Sequence, residues 1–303
     1  MIEQPLADVT GALAPVTAAQ TEGSTPASGG RDSVRRDTGP DFVESLARGL
    51  DVLRCFQAQR PEMPLSEVAT ATGLARPTAR RILLTMQELG YVAAAERGFR
   101  LTPRVLELGM AYIGSQGLWD IARPHLERLV AQTHESSSMA QLDGSDIVYV
   151  ARVAVPKIIS LSVTVGTRFP ASATSQGKVL LAALSPVELR GVLAQPGRSG
   201  ITTRRKLVLE DLEDLEVELA QIRARGWALA DEELAAGVRS VAAPVRDGTG
   251  SVIAAMNVTV HAAETSVSTL TEQHLPHLLH AASAVSADWA EWQSRPVATA
   301  ATS

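Results

Sequence analysis

The stretch that decides the fold is Leu65-Ser-Glu-Val-Ala-Thr-Ala-Thr-Gly-Leu-Ala-Arg-Pro-Thr-Ala-Arg-Arg-Ile-Leu-Leu-Thr-Met-Gln-Glu-Leu-Gly-Tyr91. It predicts a short helix capped by Ser66, a tight turn at Gly73 and a longer helix with Pro77 in its first turn. Apolar residues then recur at helical spacing and predict one buried stripe, made of Ile82, Leu83, Met86 and Leu89. A small helix pair that turns arginine outward has the geometry to enter a DNA major groove.

The residues predicted to contact DNA are those on or beside the basic face of the second helix and at the tip of the following hairpin: Arg76, Pro77, Thr78, Arg80, Arg81 and Arg97. The chain carries a net charge of −5, but residues 76–104 hold six arginines against two glutamates, a local charge of +4. DNA affinity depends on local charge, so this asymmetry favours a DNA-binding surface. A protein-binding three-helix module and ordinary solvated arginines are the alternatives.

Segments on both sides extend this unit. Residues 45–56 predict a helix capped by Ser45, with Leu46, Leu50, Leu53 and Phe56 facing a shared core. Residues 91–101 predict a hairpin that turns at 96–98, the wing of a winged helix. Residues 102–117 predict a connecting helix, whose apolar stripe is more than a solvated linker needs and indicates contact with a partner chain.

Bulk composition sets the remaining bounds. The 303 residues are enough for two ordinary domains, and the single cysteine, Cys55, excludes an internal disulfide, as is typical of the cytoplasm. No apolar run approaches the ~18 residues of a membrane helix, and no signal peptide is expected. Residues 1–40 predict a disordered tail, because Pro, Gly, Ser and Thr make up 17 of them; residues 294–303 predict a second tail.

The pattern changes to strands from residue 137. Strands are predicted at 138–142, 147–153, 158–165, 227–231, 240–246 and 252–260, and helices at 118–134 (broken into by Pro124), 178–184, 186–193, 209–225 and 270–292. The strands pair locally and the helices come in groups, which predicts an antiparallel α+β sensor domain and not a doubly wound sheet.

Motifs that suggest catalysis are weak. The segment Ser175-Gln-Gly-Lys178 matches the S-x-x-K pattern of serine acylases but has no partner motif. The acidic run 231–233 points its side chains in different directions, and His274, His277 and His280 lack a further ligand at metal-binding spacing. We therefore predict that the protein binds no metal or cofactor and is not an enzyme. The rival hypothesis is an enzyme that uses Ser175 or Asp231.

Three separated segments resemble the IclR family of bacterial transcription regulators: 73–83 with 89–92, 166–178, and 225–245. The resemblance covers 42–293 and implies a winged helix-turn-helix at 41–101, a linker helix at 102–117 used in dimerisation, and a GAF-like effector-binding domain at 118–293. It also implies double-stranded operator DNA, a small organic acid effector and a homodimer, which in this family often pairs into tetramers on DNA. RNA polymerase is a further candidate partner.

By alignment with the family, the effector-binding positions fall on Ile158, Leu161, Phe169, Ser175, Gln176, Ala230, Val238, Ser240, Asn257 and Thr259. Ala230 and Ser240 depart from the acidic residue and the cysteine of the glyoxylate- and pyruvate-responsive branch, which argues against glyoxylate. The chain is more similar to the subgroup controlling aromatic acid catabolism through the β-ketoadipate pathway, which implies protocatechuate, 4-hydroxybenzoate or β-ketoadipate. Residues 175–177, at a helix N-terminus, are expected to bind the carboxylate of the effector without the help of a buried arginine. The alternative is that these residues only cap the helix. A regulator of another catabolic operon, with a different effector or none, is the rival function.

Overall fold

The computed structural model describes residues 39–57, 60–156, 163–199 and 211–295, without the side chains of residues 111, 113–116 and 211. The chain divides into two compact units at Pro103 and Arg104. Nearly all of the tail predicted at 1–40, and most of that predicted at 294–303, lies outside the described residues.

The first unit is a winged helix-turn-helix, as the sequence predicts. Its elements are α1 (Glu44–Arg54), β1 (Glu62–Met63), α2 (Leu65–Thr72), α3 (Arg76–Glu88), β2 (Val92–Ala95) and β3 (Gly98–Leu101). The three strands form an antiparallel sheet in the order β1-β3-β2. Strand β1 was not predicted, because two residues are too few to show an alternating pattern.

The turn between α2 and α3 follows the prediction, but the helix caps do not. Gly73 adopts a left-handed φ of 66°, and Pro77 lies in the first turn of α3. Helix α2 begins two residues earlier than expected, so Pro64 holds the cap position and Ser66 lies inside the first turn; the predicted Ser66 cap is wrong. The predicted Ser45 cap is wrong for the same reason, since Val43 precedes α1.

The core of this unit is smaller than the predicted stripes. Val52, Leu53, Val68, Ala69, Ala79 and Leu83 are buried. Leu46 is 64% exposed and Leu89 is 50% exposed, and Leu50 is exposed as well, so their predicted burial is wrong. A core built by three short helices covers only a narrow part of each helix, which leaves the edges of both stripes lining an open groove between α1 and α3.

A 3₁₀ turn (Pro103–Val105) spans the boundary, and the second unit then combines helices with antiparallel strands. Its elements are α4 (Leu106–Gln116), α5 (Leu118–Thr133), β4 (Ser136–Asp143), β5 (Asp146–Val153), β6 (Arg168–Pro170), a 3₁₀ turn (Ala171–Ala173), α6 (Ser175–Ala182), α7 (Pro186–Leu193), α8 (Asp211–Arg225), β7 (Ala228–Asp231), β8 (Val238–Arg246), β9 (Val252–His261), α9 (Val267–Thr269), a π-helical turn (Leu270–His274) and α10 (Leu275–Ser294).

Within the described residues, six strands form one antiparallel sheet in the order β6-β5-β4-β9-β8-β7, which confirms the α+β class. One face of the sheet packs its alternate residues against α5 and α10, with Met139, Val241 and Met256 in that core. The other face packs against α6 and α8, with Ala140, Ala242 and Ala255 beneath them. Small residues on this second face let α6 lie close to the sheet.

Several predicted boundaries need correction. Residues 163–165 of the predicted strand 158–165 are not a strand, and the segment before them lies outside the described residues. Strand β6 and the start of α6 fall inside a predicted loop, because their short segments show no periodicity. Helix α5 continues through Pro124, whose predicted break is wrong. Helix α7 has the predicted bounds.

Candidate DNA-binding surface and effector cavity

The arginines predicted to contact DNA lie on the outside of the winged helix. Arg76, Arg80 and Arg81 are exposed on α3, and Arg97 is exposed in the two-residue turn of the wing. Among the described residues, none of the four forms an ion pair with an acidic side chain. Each guanidinium is therefore available for phosphate or a base edge.

The other two predicted DNA contacts differ in exposure. Pro77 is exposed beside Arg76, whereas Thr78 is half-buried and lines the groove between α1 and α3. Thr78 therefore has less surface to offer DNA than its arginine neighbours.

A small cavity lies between α6 and the sheet of the second unit. It is lined by Tyr149, Arg152, Val163, Phe169, Ala173, Thr174, Ser175, Gln176, Ala230, Leu234, Val238, Ser240, Asn257 and Thr259. The cavity has a volume of ≈ 40 Å³. A single water needs roughly 10–15 Å³ on this measure, so the space that the described walls enclose is small.

Eight of the ten predicted effector-binding residues line this cavity: Phe169, Ser175, Gln176, Ala230, Val238, Ser240, Asn257 and Thr259. The remaining two, Ile158 and Leu161, lie outside the described residues. Four strands and the start of α6 thus converge on one space, although the residues are far apart in the chain.

The cavity also contains an arginine that the sequence analysis missed. Arg152 is half-buried in its wall, and its Nη1 donates a hydrogen bond to the Ser138 hydroxyl at 3.0 Å. Among the described residues, no acidic side chain pairs with it, and burial lowers the pKa of its guanidinium. The expectation that residues 175–177 receive a carboxylate without a buried arginine stays a prediction, and Arg152 is a second candidate for that role in the same cavity.

A β-bulge explains why the alternation of strand β5 hides Arg152. Ser138 lies opposite Arg152 and Ala140 lies opposite Tyr149, so the register shifts by one residue between them. Without the shift, Tyr149 and Arg152 would face opposite sides of the sheet, because side chains alternate along a strand. The extra residue, Val150, turns both side chains toward the cavity.

Tyr149 supplies a neutral hydroxyl beside this arginine. Burial raises the pKa of its phenol to about 12, and the positive charge of Arg152 opposes that rise. Its ring meets Phe169 edge to face, with 5.7 Å between the ring centroids. At neutral pH, Tyr149 therefore offers a protonated hydroxyl to the cavity.

The first turn of α6 forms the polar wall. Thr174 caps the helix, accepting a hydrogen bond from the Gly177 amide at 3.1 Å, which is the capping role left open by the sequence. The Ser175 and Ser240 hydroxyls are 2.7 Å apart. The Gln176 side chain donates from Nε2 to two strand carbonyls, Ser138 at 3.1 Å and Ala255 at 3.0 Å.

The S-x-x-K match at 175–178 has a structural explanation. Lys178 is 1% exposed, and its Nζ pairs with Glu218 of α8 at 2.6 Å and with Glu233 after β7 at 2.5 Å. The lysine thus ties α6 to two neighbouring segments, and its ammonium group is engaged by two carboxylates.

The other motifs weighed for catalysis also have structural roles. In the acidic run, Asp231 pairs with Arg239 and the Glu232 carboxylate accepts from the Gly237 amide, while Glu233 faces Lys178. The described residues hold no group of three or more His, Cys, Asp and Glu side chains arranged for a metal ion. Burial raises the pKa of the Cys55 thiol, which lowers its reactivity. In the part of the chain that is described, no helix is long and apolar enough to cross a membrane.

A winged helix with arginines exposed on its second helix-turn-helix helix and its wing, joined to a domain with a small cavity of polar and apolar walls, is typical of a ligand-responsive DNA-binding protein. Two family models match this chain: the IclR helix-turn-helix domain over residues 45–96 and the bacterial transcriptional regulator IclR C-terminal domain over residues 110–287. The chain belongs to the IclR family of bacterial transcriptional regulators.

Within the family, the chain is similar to regulators of aromatic acid catabolism. The chain is 42% identical over 238 residues to a Pca regulon regulatory protein of Pseudomonas putida, covering 78% of this chain and 81% of that protein. It is 34% identical over 242 residues to the p-hydroxybenzoate hydroxylase transcriptional activator of Acinetobacter baylyi, covering 78% and 88%. The resemblance to regulators of aromatic acid catabolism is confirmed.

Solved structures agree with the fold. The chain is similar to a crystal structure described as a transcriptional regulator of Rhodococcus sp. RHA1, with 47% identity, a TM-score of 0.71, and coverage of 83% of this chain and 100% of that one. It is also similar to an IclR homologue of Microbacterium hydrocarbonoxydans complexed with 4-hydroxybenzoate, with 27% identity, a TM-score of 0.70, and coverage of 81% and 98%.

Proposed function

We propose that this protein is a sequence-specific transcription regulator of aromatic acid catabolism, and that its effector is an aromatic carboxylate bound in the cavity beneath α6. The observation that carries the proposal is Arg152, a half-buried cation in the cavity wall without an acidic partner among the described residues. A buried charge is costly until a counter-charge arrives, and an effector carboxylate supplies one.

The remaining walls suit an aromatic ring. Phe169, Val163, Leu234 and Val238 provide apolar surface, and the Tyr149 hydroxyl can donate to the same carboxylate as Arg152. A ligand pocket of this kind uses apolar walls for affinity and a few polar groups for orientation. We propose that the eight predicted residues that line the cavity contact the effector directly.

The output is operator binding by α3 and the wing. We propose that Arg76, Pro77, Thr78, Arg80 and Arg81 approach the major groove and that Arg97 contacts phosphate or the adjacent minor groove. Replacing Arg81 by Ala should weaken operator binding by about 1–3 kcal/mol if it reads a base, and replacing Arg97 should lower the salt slope by about one.

The matched control for both variants is Arg190→Ala, which removes an exposed arginine of α7 in the other unit. Effector affinity should be unchanged in all three proteins. Operator affinity equal to wild type in Arg81→Ala would contradict the placement of the recognition helix.

We further propose that the protein acts in the cytoplasm as a homodimer, with pairs of dimers on DNA, that RNA polymerase is a partner, and that it has no catalytic activity. The apolar side chains of α4 support dimerisation: Leu106 is 69% exposed and Met110 is 59% exposed. A dimer places two recognition helices one helical turn apart, so the operator should be a near-palindrome. Sedimentation of Met110→Glu should show monomer where the wild type shows dimer.

The direct test of the effector is calorimetric titration of the purified protein with benzoate, 3- and 4-hydroxybenzoate, protocatechuate and β-ketoadipate. The proposal expects binding of at least one aromatic acid. Absence of heat and of any melting shift with every aromatic acid would contradict it and favour a regulator with another effector or none.

A further inference from the structure

The polar groups of the cavity differ in what they can accept and donate. The Ser175, Ser240 and Thr259 hydroxyls each carry a proton and lone pairs, so they can rotate to suit either kind of ligand atom. Arg152 only donates. The amides of Asn257 and Gln176 have orientations fixed by their surroundings. Asn257 Oδ1 already accepts from the Ser138 amide and its Nδ2 donates to Thr259, whereas Gln176 Oε1 accepts no hydrogen bond from the described residues.

Two carbonyls fix the orientation of the Gln176 amide. Its Nε2 donates to the Ser138 carbonyl of β4 and to the Ala255 carbonyl of β9, which occupies both of its protons. Flipping the amide would place Oε1 against two carbonyl oxygens, so the alternative assignment is excluded by repulsion. The Oε1 atom is therefore an acceptor and cannot exchange roles with the nitrogen.

This acceptor is buried and unsatisfied. Gln176 is 0% exposed, and Oε1 accepts no hydrogen bond from the described residues. A buried acceptor left without a donor costs about 1–3 kcal/mol, and most buried polar atoms in proteins avoid that cost by finding a partner. Because Gln176 lines the cavity, a bound ligand can supply the missing donor.

The Arg152 guanidinium and the Gln176 amide bond to the same residue, Ser138. Arg152 donates to its hydroxyl, and Gln176 donates from Nε2 to its carbonyl. Both side chains also line the cavity, so a single compact ligand can contact both. The cation selects a carboxylate, and the fixed acceptor selects an O–H or N–H proton on the same molecule.

We propose that Gln176 is the specificity-determining residue of the effector site and that it accepts a hydrogen bond from a ring hydroxyl of the effector. This inference rests on the proposed function and goes further, because it separates the candidate ligands by class. Phenolic acids carry both a carboxylate and a hydroxyl donor, whereas β-ketoadipate in its keto form carries two carboxylates and no donor at neutral pH. The effector is accordingly a hydroxylated aromatic acid.

The first experiment leaves the protein unchanged. Calorimetry on the full wild-type chain compares benzoate with 3- and 4-hydroxybenzoate, then with the 3- and 4-fluoro and 3- and 4-amino analogues. Fluorine approximates the size of a hydroxyl without a donor, and the amine restores a donor. At one ring position, the hydroxy and amino acids should bind at least about tenfold more tightly than the fluoro acid, because the fluoro acid leaves Oε1 unpaired.

The second experiment replaces the acceptor. Gln176→Met keeps the length of the side chain and removes Oε1, so the preference for hydroxy over fluoro acid should fall to within about twofold. Gln221→Met, an exposed position on α8, is the matched control and should keep the full preference. Melting curves establish that both variants fold; if Gln176→Met does not, the wild-type ligand series decides alone.

The outcomes are distinct. Equal affinity for hydroxy and fluoro acids at both ring positions overturns the role of Gln176 and leaves the aromatic carboxylate proposal standing. Retention of the hydroxyl preference in folded Gln176→Met also overturns it. Binding of β-ketoadipate in preference to every phenolic acid overturns the inference and the aromatic effector together. Loss of the hydroxyl preference in Gln176→Met, with the preference kept in Gln221→Met, supports the role of Gln176.

Discussion

Replacing Arg152 by Met should remove most of the affinity for aromatic acids while leaving the fold intact. The side chain is half-buried, and its charge has no acidic partner among the described residues, so a bound carboxylate would be its counter-ion. A charge-assisted hydrogen bond contributes roughly 1.5–3 kcal/mol, and losing one partner of a buried charge pair costs roughly 2–5 kcal/mol. Half-burial places this pair in the lower part of that range, at about 2–3 kcal/mol, or roughly 30- to 150-fold in Kd.

The stability of the unliganded protein should change little in the same variant. The substitution removes one hydrogen bond to Ser138 and also relieves the burial of a guanidinium whose pKa is lowered by desolvation. These two effects oppose each other, so the free energy of unfolding should stay within about 1 kcal/mol of wild type. Urea denaturation measures this change directly.

Calorimetry with a charged and an uncharged ligand isolates the ion pair. Wild type should bind 4-hydroxybenzoate much more tightly than 4-hydroxybenzamide, and Arg152→Met should bind the two with similar affinity. Arg190→Met, an exposed position on α7, should behave as wild type. Affinity in Arg152→Met within about threefold of wild type, with the acid-to-amide ratio preserved, would refute the assignment of the carboxylate site.

Three further predictions follow from the packing of the second unit. Gly177→Ala should abolish folding or lower the melting temperature severely, because the added Cβ would lie 2.1 Å from the Ala171 carbonyl oxygen; circular dichroism measures this. Lys178→Met should destabilise the protein by about 3–5 kcal/mol in urea, since two glutamates lose their shared cation, whereas an exposed lysine-to-methionine change would cost little. Tyr149→Phe should remove an alkaline loss of stability. The raised pKa means that the folded state holds the phenol proton more tightly, so stability is intact below pH 10 and falls as pH rises toward 12, by at most about 3 kcal/mol relative to Tyr149→Phe in paired urea titrations.

The order of the elements was predictable because most helices and strands carry strong periodicity. The turn at Gly73 and the start of α7 follow from residues with distinctive backbone behaviour: glycine adopts the left-handed conformation without strain, and proline is favoured in the first turn of a helix. The extent of burial in the first unit was not predictable in the same way. Leu46 has the spacing of a core residue, but a unit of three short helices has too few packed elements to cover it.

The residues of the effector cavity were likewise predictable only in part. Alignment with the family brought Ser175, Ser240 and Asn257 to one space, although the chain itself gives no spacing that joins them. Arg152 and Tyr149 were not among the aligned positions, and the bulge that turns both toward the cavity leaves no mark in the sequence of β5. The fixed orientation of Gln176 depends on two carbonyls from different strands and could be found only in three dimensions.

The central claim is that a small aromatic acid in the cavity controls operator binding by the winged helix. Fluorescence anisotropy with the native operator, with and without saturating 4-hydroxybenzoate, tests it most directly. We predict that the acid changes the operator affinity of wild type by about fivefold or more, the usual range of such coupling. We also predict that, without the acid, Arg152→Met binds the operator with the affinity of wild type. Adding the acid at the same concentration should leave the operator affinity of this variant unchanged. An operator affinity of wild type that stays constant while the acid is bound, or an Arg152→Met variant that responds as wild type does, would contradict the claim.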